Sequence, residues 1–138
     1  MKIYFAGSIR GGRADKEKYL ELIRHLQLYG EVLTEHIADQ KLTAYGESLT
    51  KDEYIFKRDL GWINEADIFI AEVSQPSLGV GYEIVIAQSL GKKILCLYKP
   101  QEGKRLSAMI TGNKGLTVKQ YAALPEAFGI LDEFFANQ

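Results

Sequence analysis

A chain of 138 residues is long enough for one domain with a real core and too short for two comfortable ones. Its formal net charge of −1 offers no electrostatic footprint for duplex nucleic acid or a membrane surface, so neither is expected as a partner; a small polar ligand stays open. The single cysteine, Cys96, lies in the apolar run Ile94 to Tyr98 and reads as a small core hydrophobe, and the lack of a second one points to a reducing compartment.

Lys2 to Ala6 is a β-rich run with no charged region followed by a long apolar one, so no signal peptide or transmembrane span is expected and the protein reads as cytoplasmic. Gly7 breaks the run, and Ser8 to Arg13 follows as a glycine-rich, basic loop. Tyr19, Leu22, Ile23 and Leu26 recur at helical spacing, with Asp15 as the expected N-cap and Gly30 as the stop. Glu31 to Thr34 predicts a second strand, and the polar, glycine-interrupted segment from Glu35 to Leu49 an exposed excursion. Thr50 to Glu53 has the capping-box pattern ahead of a helix over Tyr54 to Ala66. On that helix Asp59 shares one stripe with Ile55, Trp62 and Ala66, and another with Phe56 and Ile63, which predicts a partly buried carboxylate.

Ile68 to Ala71 predicts a buried strand, followed by a polar turn and a second apolar run from Tyr82 to Leu90 that reads as a buried helix. Glu83 is the one acid of that run and falls in its expected first turn. A fourth strand is expected over Lys93 to Tyr98, then a short helix over Leu106 to Thr111, a fifth strand over Gly115 to Val118, and a last helix marked by Phe128, Leu131, Phe134 and Phe135. Regular alternation of strand and helix predicts an α/β fold of Rossmann-like type, an open parallel sheet of about five strands with helices on both faces, in a single domain over 1–138.

In such sheets ligands bind beyond the carboxyl ends of the strands, which gathers three loops, Gly7 to Arg13, Ser74 to Gly81 and Lys99 to Lys104, on one rim. The first loop brings arginines, a hydroxyl and backbone N–H groups, a combination that suits a phosphate and equally describes a glycine turn with solvated arginines. It matches neither GxxxxGK[ST] nor GxGxxG. Ser77 is a candidate helix cap, a candidate anion ligand, or both. Burial raises the pKa of Glu83 and a first-turn position lowers it; with Asp59 it forms the kind of carboxylate pair that glycosyl chemistry uses, while buried acids also serve as caps and salt-bridge partners. Tyr4 is either a core aromatic or a hydroxyl reaching the rim. His36 has no second His or Cys at ligand spacing, so no metal is expected, and no cofactor.

The segments Tyr4 to Arg13, Leu33 to His36, Asp59-Leu60 with Trp62, Ala71 to Glu83, and Leu95-Cys96-Leu97 through Leu106 to Ile110 resemble the 2′-deoxynucleoside 5′-monophosphate N-glycosidases of the nucleoside 2-deoxyribosyltransferase superfamily. The resemblance runs from residue 3 to about residue 111, and its most specific part is the block Ser74 to Glu83. It implies hydrolysis of a deoxynucleoside monophosphate to free base and 2-deoxyribose 5-phosphate. Glu83 would attack the anomeric carbon to form a glycosyl-enzyme intermediate, Asp59 would orient the sugar or assist at the base and water, and Tyr4 would line the sugar pocket. Ser8, Ile9, Arg10, Gly11, Ser77 and Gly79 would hold the 5′-phosphate. The implied assembly is a homodimer in which Ser107 reaches the neighbouring subunit's site.

Three other activities fit parts of the pattern. A base-exchanging transferase on unphosphorylated deoxynucleosides uses the same acid but has no need of an anion cradle. A ribonucleotide hydrolase shares the chemistry but not the expected crowding of the 2′ position by Tyr4. A non-catalytic nucleotide sensor is permitted by the fold and leaves the lone acid Glu83 unexplained.

Overall fold

Alternate residues of the first strand part company. In β1 (Lys2–Gly7) Ile3 and Phe5 enter one buried cluster while Tyr4 and Ala6 enter another, as the two-residue period of a strand requires. The same division runs through β3 (Ile68–Glu72) and β4 (Lys93–Tyr98), which explains why these strands read as unbroken apolar runs. The structure is a computed structural model that describes residues 1–9, 12–34 and 51–138. Arg10, Gly11, His36, the expected excursion and the capping role of Thr50 lie outside the described residues.

One core is closed by α1 (Arg13–Leu26) and α5 (Leu124–Ala136), through Tyr19, Leu22, Leu26, Leu131 and Phe135. The other is closed by α2 (Asp52–Glu65) and α3 (Leu78–Ser89), through Ile63, Val80, Ile84 and Ala87. With β2 (Glu31–Val32) and β5 (Thr117–Gln120) the sheet has five strands, all parallel, in the order β2-β1-β3-β4-β5. The expected doubly wound α/β architecture is therefore present. The strand order reverses between β1 and β3, and in open sheets that crevice is where ligands bind.

Several boundaries differ from the sequence expectation, each for a local reason. The first helix begins two residues before Asp15, because Gly12 at φ 88° turns the chain into it; Asp15 instead sits in the first turn. That helix ends at Leu26, and Gly30 is not its stop. A side chain at Gly30 would place its Cβ 2.3 Å from the carbonyl oxygen of Met1, so glycine is needed there for close approach to β1. The cap of α2 is Lys51, whose side chain makes no capping bond. A short helix, α4 (Ala108–Thr111), starts after Ser107, whose Oγ accepts from the Met109 N–H at 3.2 Å and leaves Leu106 outside. The strand β5 starts only at Thr117, because Asn113 accepts from Gly115 N–H and Leu116 N–H and holds both in a turn.

The second strand is two residues long rather than four, since Thr34 replaces strand pairing with its side chain. Its hydroxyl accepts from Phe5 N–H at 2.8 Å and donates to Phe5 C=O at 2.6 Å. A buried hydroxyl that serves both backbone groups is costly to remove. Thr34→Val is expected to destabilise the protein by about 2 to 4 kcal/mol, and Thr34→Ser by less than about 1 kcal/mol. Denaturant unfolding of the two variants beside the parent checks this.

Candidate active site

The site assembles from three elements at the β1/β3 crevice. Tyr4 is 1% exposed and its ring stacks on Phe69, with centroids 5.1 Å apart and planes within 7°. From that fixed ring the hydroxyl donates to Oε2 of Glu83. The core-aromatic reading of Tyr4 holds, and its hydroxyl reaches Glu83 while the residue itself lies outside the cleft lining.

Glu83 lies in the second turn of α3, not the first, because the helix starts at Leu78 directly after its cap Ser77. The Ser77 Oγ accepts from Val80 N–H at 3.2 Å, so the expected cap is formed. Side chains on a helix lean toward its N-terminus. Accordingly, Oε1 of Glu83 comes within 3.9 Å of the position a Cβ on Gly79 would occupy, and Ser77 Oγ within 3.8 Å of the same point. The carboxylate thus points back toward the helix start, where a helix leaves N–H groups without intrahelical partners.

Asp59 comes from α2 and, as its stripe predicts, is partly buried, with a side chain 26% exposed. Asp59, Glu83 and Gly79 line one cleft of about 310 Å³ between α2 and α3, walled by Ile55, Phe56, Ile63, Tyr82 and Ile86. Burial among these groups raises Glu83 to about 7; the Tyr4 hydroxyl pulls it down and the negative charge of Asp59 pushes it up further. Tyr4 is itself raised far above the usual phenol range, by burial first and then by Glu83 and Asp59, so it remains a donor. Desolvation is the largest influence on Glu83.

The other expected site residues are not all brought together. Ser8 is buried at the end of β1 and lies outside the cleft lining. Ile9 does not face the cleft; its side chain packs against the α1/α5 core on the other side of the sheet. Ser107, expected at the neighbouring subunit's site, is exposed at the start of α4. Among the described residues no group of three His, Cys, Asp or Glu is placed to hold a metal ion.

Residues 3–122 match the family model described as nucleoside 2-deoxyribosyltransferase. The chain belongs to this family. It is 46% identical over 142 aligned positions to the 5-hydroxymethyl-dUMP N-hydrolase of Tetraodon nigroviridis, covering 100% of this chain and 99% of that protein. It is 55% identical over 111 positions to the 5-hydroxymethyl-dUMP N-hydrolase of Mus musculus, covering 80% of this chain and 64% of the mouse protein. Among solved structures, a CMP N-glycosidase of Clostridium botulinum superposes with a TM-score of 0.71 over 97% of this chain and 99% of the other; at 23% identity this shows a shared fold.

Two further charged residues of this nucleoside 2-deoxyribosyltransferase family member stand in contacts that the sequence expectations do not include. Glu72 looks like the first polar residue after its strand, yet it is the last residue of β3 and 0% exposed. It accepts from Ser74 N–H at 2.6 Å and from the Tyr121 hydroxyl, and Lys18 Nζ stands 3.2 Å away. The Lys18 and Tyr121 partners lie far off in sequence, so no local signal marks the network. Arg58 lies against Asp59 and did carry a signal, with Tyr54 and Trp62 four residues to either side.

The raised Glu83 has a consequence for stability. Its ordinary value is 4.5, so between about pH 4.5 and 7 the folded protein binds the extra proton and stability falls as pH rises. Glu83→Gln is therefore expected to be more stable than the parent above pH 7, by up to about 3 kcal/mol, with the gap closing toward pH 4. Thermal unfolding of both proteins across pH 4 to 9 tests this.

Proposed function

We propose that the protein hydrolyses the N-glycosidic bond of 2′-deoxynucleoside 5′-monophosphates, releasing the free base and 2-deoxyribose 5-phosphate. The observation that carries this reading is the Tyr4–Glu83 pair: a carboxylate raised to about 7, held by a fixed phenol, opening into a cleft that a second carboxylate, Asp59, also lines. The relatives named for hydrolysis of 5-hydroxymethyl-dUMP support it, and extend it to a deoxyuridylate substituted at the 5-position of the base.

In the proposed reaction the ionised Glu83 attacks the anomeric carbon. The bond to the base breaks with its electron pair leaving on the base, which then takes up a proton. Tyr4 orients the attacking oxygen and steadies its charge before attack. Water then attacks the same carbon, its proton passes to Asp59 or to solvent, and Glu83 departs as a carboxylate. The proposed phosphate site is the start of α3, with the Ser77 cap and the backbone at Gly79; the family resemblance adds Ser8, Arg10 and Gly11.

A homodimer belongs to the same proposal. The sequence predicts α3 to be a buried helix, whereas only one face of it is covered. Leu78 is 97% exposed, and Tyr82, Val85 and, on α4, Met109 are also open to solvent. A helix apolar all round seeks cover on every side. A second copy laid over these residues supplies that cover and brings Ser107 toward the neighbouring cleft.

The family description favours one rival, base exchange on unphosphorylated deoxynucleosides. Purified protein is incubated with 5-hydroxymethyl-dUMP, other deoxynucleoside monophosphates and the matching nucleosides, with and without an acceptor base. Release of free base from the monophosphates, and little from the nucleosides, is expected, since the phosphate supplies binding energy that reaches the reacting centre. Glu83→Ala is expected to lower turnover by about a thousandfold or more while nucleotide binding survives. Faster turnover of nucleosides, with transfer to the acceptor, would replace hydrolysis by exchange.

A further inference from the structure

Arg58 precedes Asp59 on α2, and its side chain is only 16% exposed. Its Nε and Nη2 each lie 3.0 Å from the same carboxylate oxygen, Oδ1 of Asp59. The guanidinium carbon stands 4.7 Å from the ring centroid of Trp62 and 5.9 Å from that of Tyr54. Adjacent residues on a helix do not normally face each other, whereas residues four apart do. Tyr54, Arg58 and Trp62 are spaced by four, so the two rings form a platform on which the guanidinium folds back over its neighbour.

Electrostatics give this arrangement a purpose. The charged and titratable groups that meet at Glu83 among the described residues are Tyr4 from β1, Asp52 and Asp59 from α2, and Tyr82 on its own helix, with Arg58 bound to Asp59. On Tyr4, Glu83 and Asp59 act in one direction and Arg58 in the other, so the field of Arg58 reaches the hydroxyl that bonds Glu83. Two carboxylates in a partly dry cleft resist ionising together unless one is neutralised.

We propose that Arg58 is a positioning residue for the hydrolysis described above, on which this inference rests: clamped by Trp62 and Tyr54, it holds Asp59 as a neutralised carboxylate in one orientation, so that Glu83 beside it carries its own charge and attacks. Arg58 acts through Asp59. A lysine at this position keeps the charge without the planar fork.

The test uses Arg58→Met and Arg58→Lys, with thermal unfolding to establish that both fold. Two quantities are measured against pH: kcat/KM for base release from 5-hydroxymethyl-dUMP, and the carboxyl carbon resonance of Glu83 in the free protein, assigned by comparison with Glu83→Gln. In the parent both are expected to titrate near pH 7. In Arg58→Met both are expected to move up by about one pH unit, and in Arg58→Lys to return most of the way. An unmoved Glu83 resonance in folded Arg58→Met, or a loss confined to KM, overturns the proposal. A parent protein that releases no base overturns the hydrolysis itself, so the two failures are separate.

Discussion

A carboxylate held in a partly dry cleft by one phenol is the constraint on which the rest of the site depends. Glu83 is charged only at the cost of its hydration, and the Tyr4 hydroxyl offsets part of that cost while Asp59 adds to it. The outcome is an acid poised near neutrality, where small changes in its surroundings decide whether it is ionised. Such a balance requires that the partner not move. Tyr4 meets the requirement because its ring is locked in the sheet against Phe69, on a strand flanked by β2 and β3. Rigidity of the core is thereby converted into a fixed electrostatic environment.

The opposite side of the sheet holds an instructive counterpart. Glu72 is more deeply buried than Glu83 and also accepts from a tyrosine hydroxyl, yet an ammonium group lies 3.2 Å from it and a backbone N–H bonds its other oxygen. Its charge is matched within the fold. It fixes Ser74, whose Oγ in turn accepts from Lys99 N–H at 2.7 Å, and so it ties the ends of β3 and β4 together beneath the rim. Both acids are buried beside a phenol, and the difference between them is the cation in contact with Glu72. Burial alone does not distinguish a structural carboxylate from a reactive one; the completeness of its neutralisation does.

Much of this was legible in the residues. Apolar runs separated by helical periodicities were enough for a parallel α/β sheet, because strands buried on both faces have no other appearance. Glu83 and Asp59 stood out as acids on otherwise inward stripes, and Tyr4 remained ambiguous until a distant partner was placed opposite its hydroxyl. What was not legible depended on contacts between segments far apart in sequence. Thr34 shortened a strand by bonding Phe5, Gly30 yielded to the carbonyl of Met1, and Ile9 turned to the core away from the cleft. The start of α3 was misplaced for another reason. Leu78 to Gly81 has the composition of a turn, and only the formed Ser77 cap makes it the first turn of a helix.

That shift of one helical turn changes how the helix divides its work. Had Glu83 stood in the first turn, the helix dipole would have favoured its charge and competed with any bound anion for the same N–H groups. In the second turn its backbone stands past the free N–H groups, and burial, Tyr4 and Asp59 set its charge. The distance from Leu78 to Glu83 along the axis is about 7.5 Å at the usual rise per residue, and the Glu83 side chain leans back over part of it. On the proposed reaction, one helix offers an anion its N-terminus and a sugar its second turn, and a substrate with both groups spans the two at once. On the same proposal, a substrate without the phosphate forfeits the first contact, and with it the anchor that sets the anomeric carbon against the carboxylate.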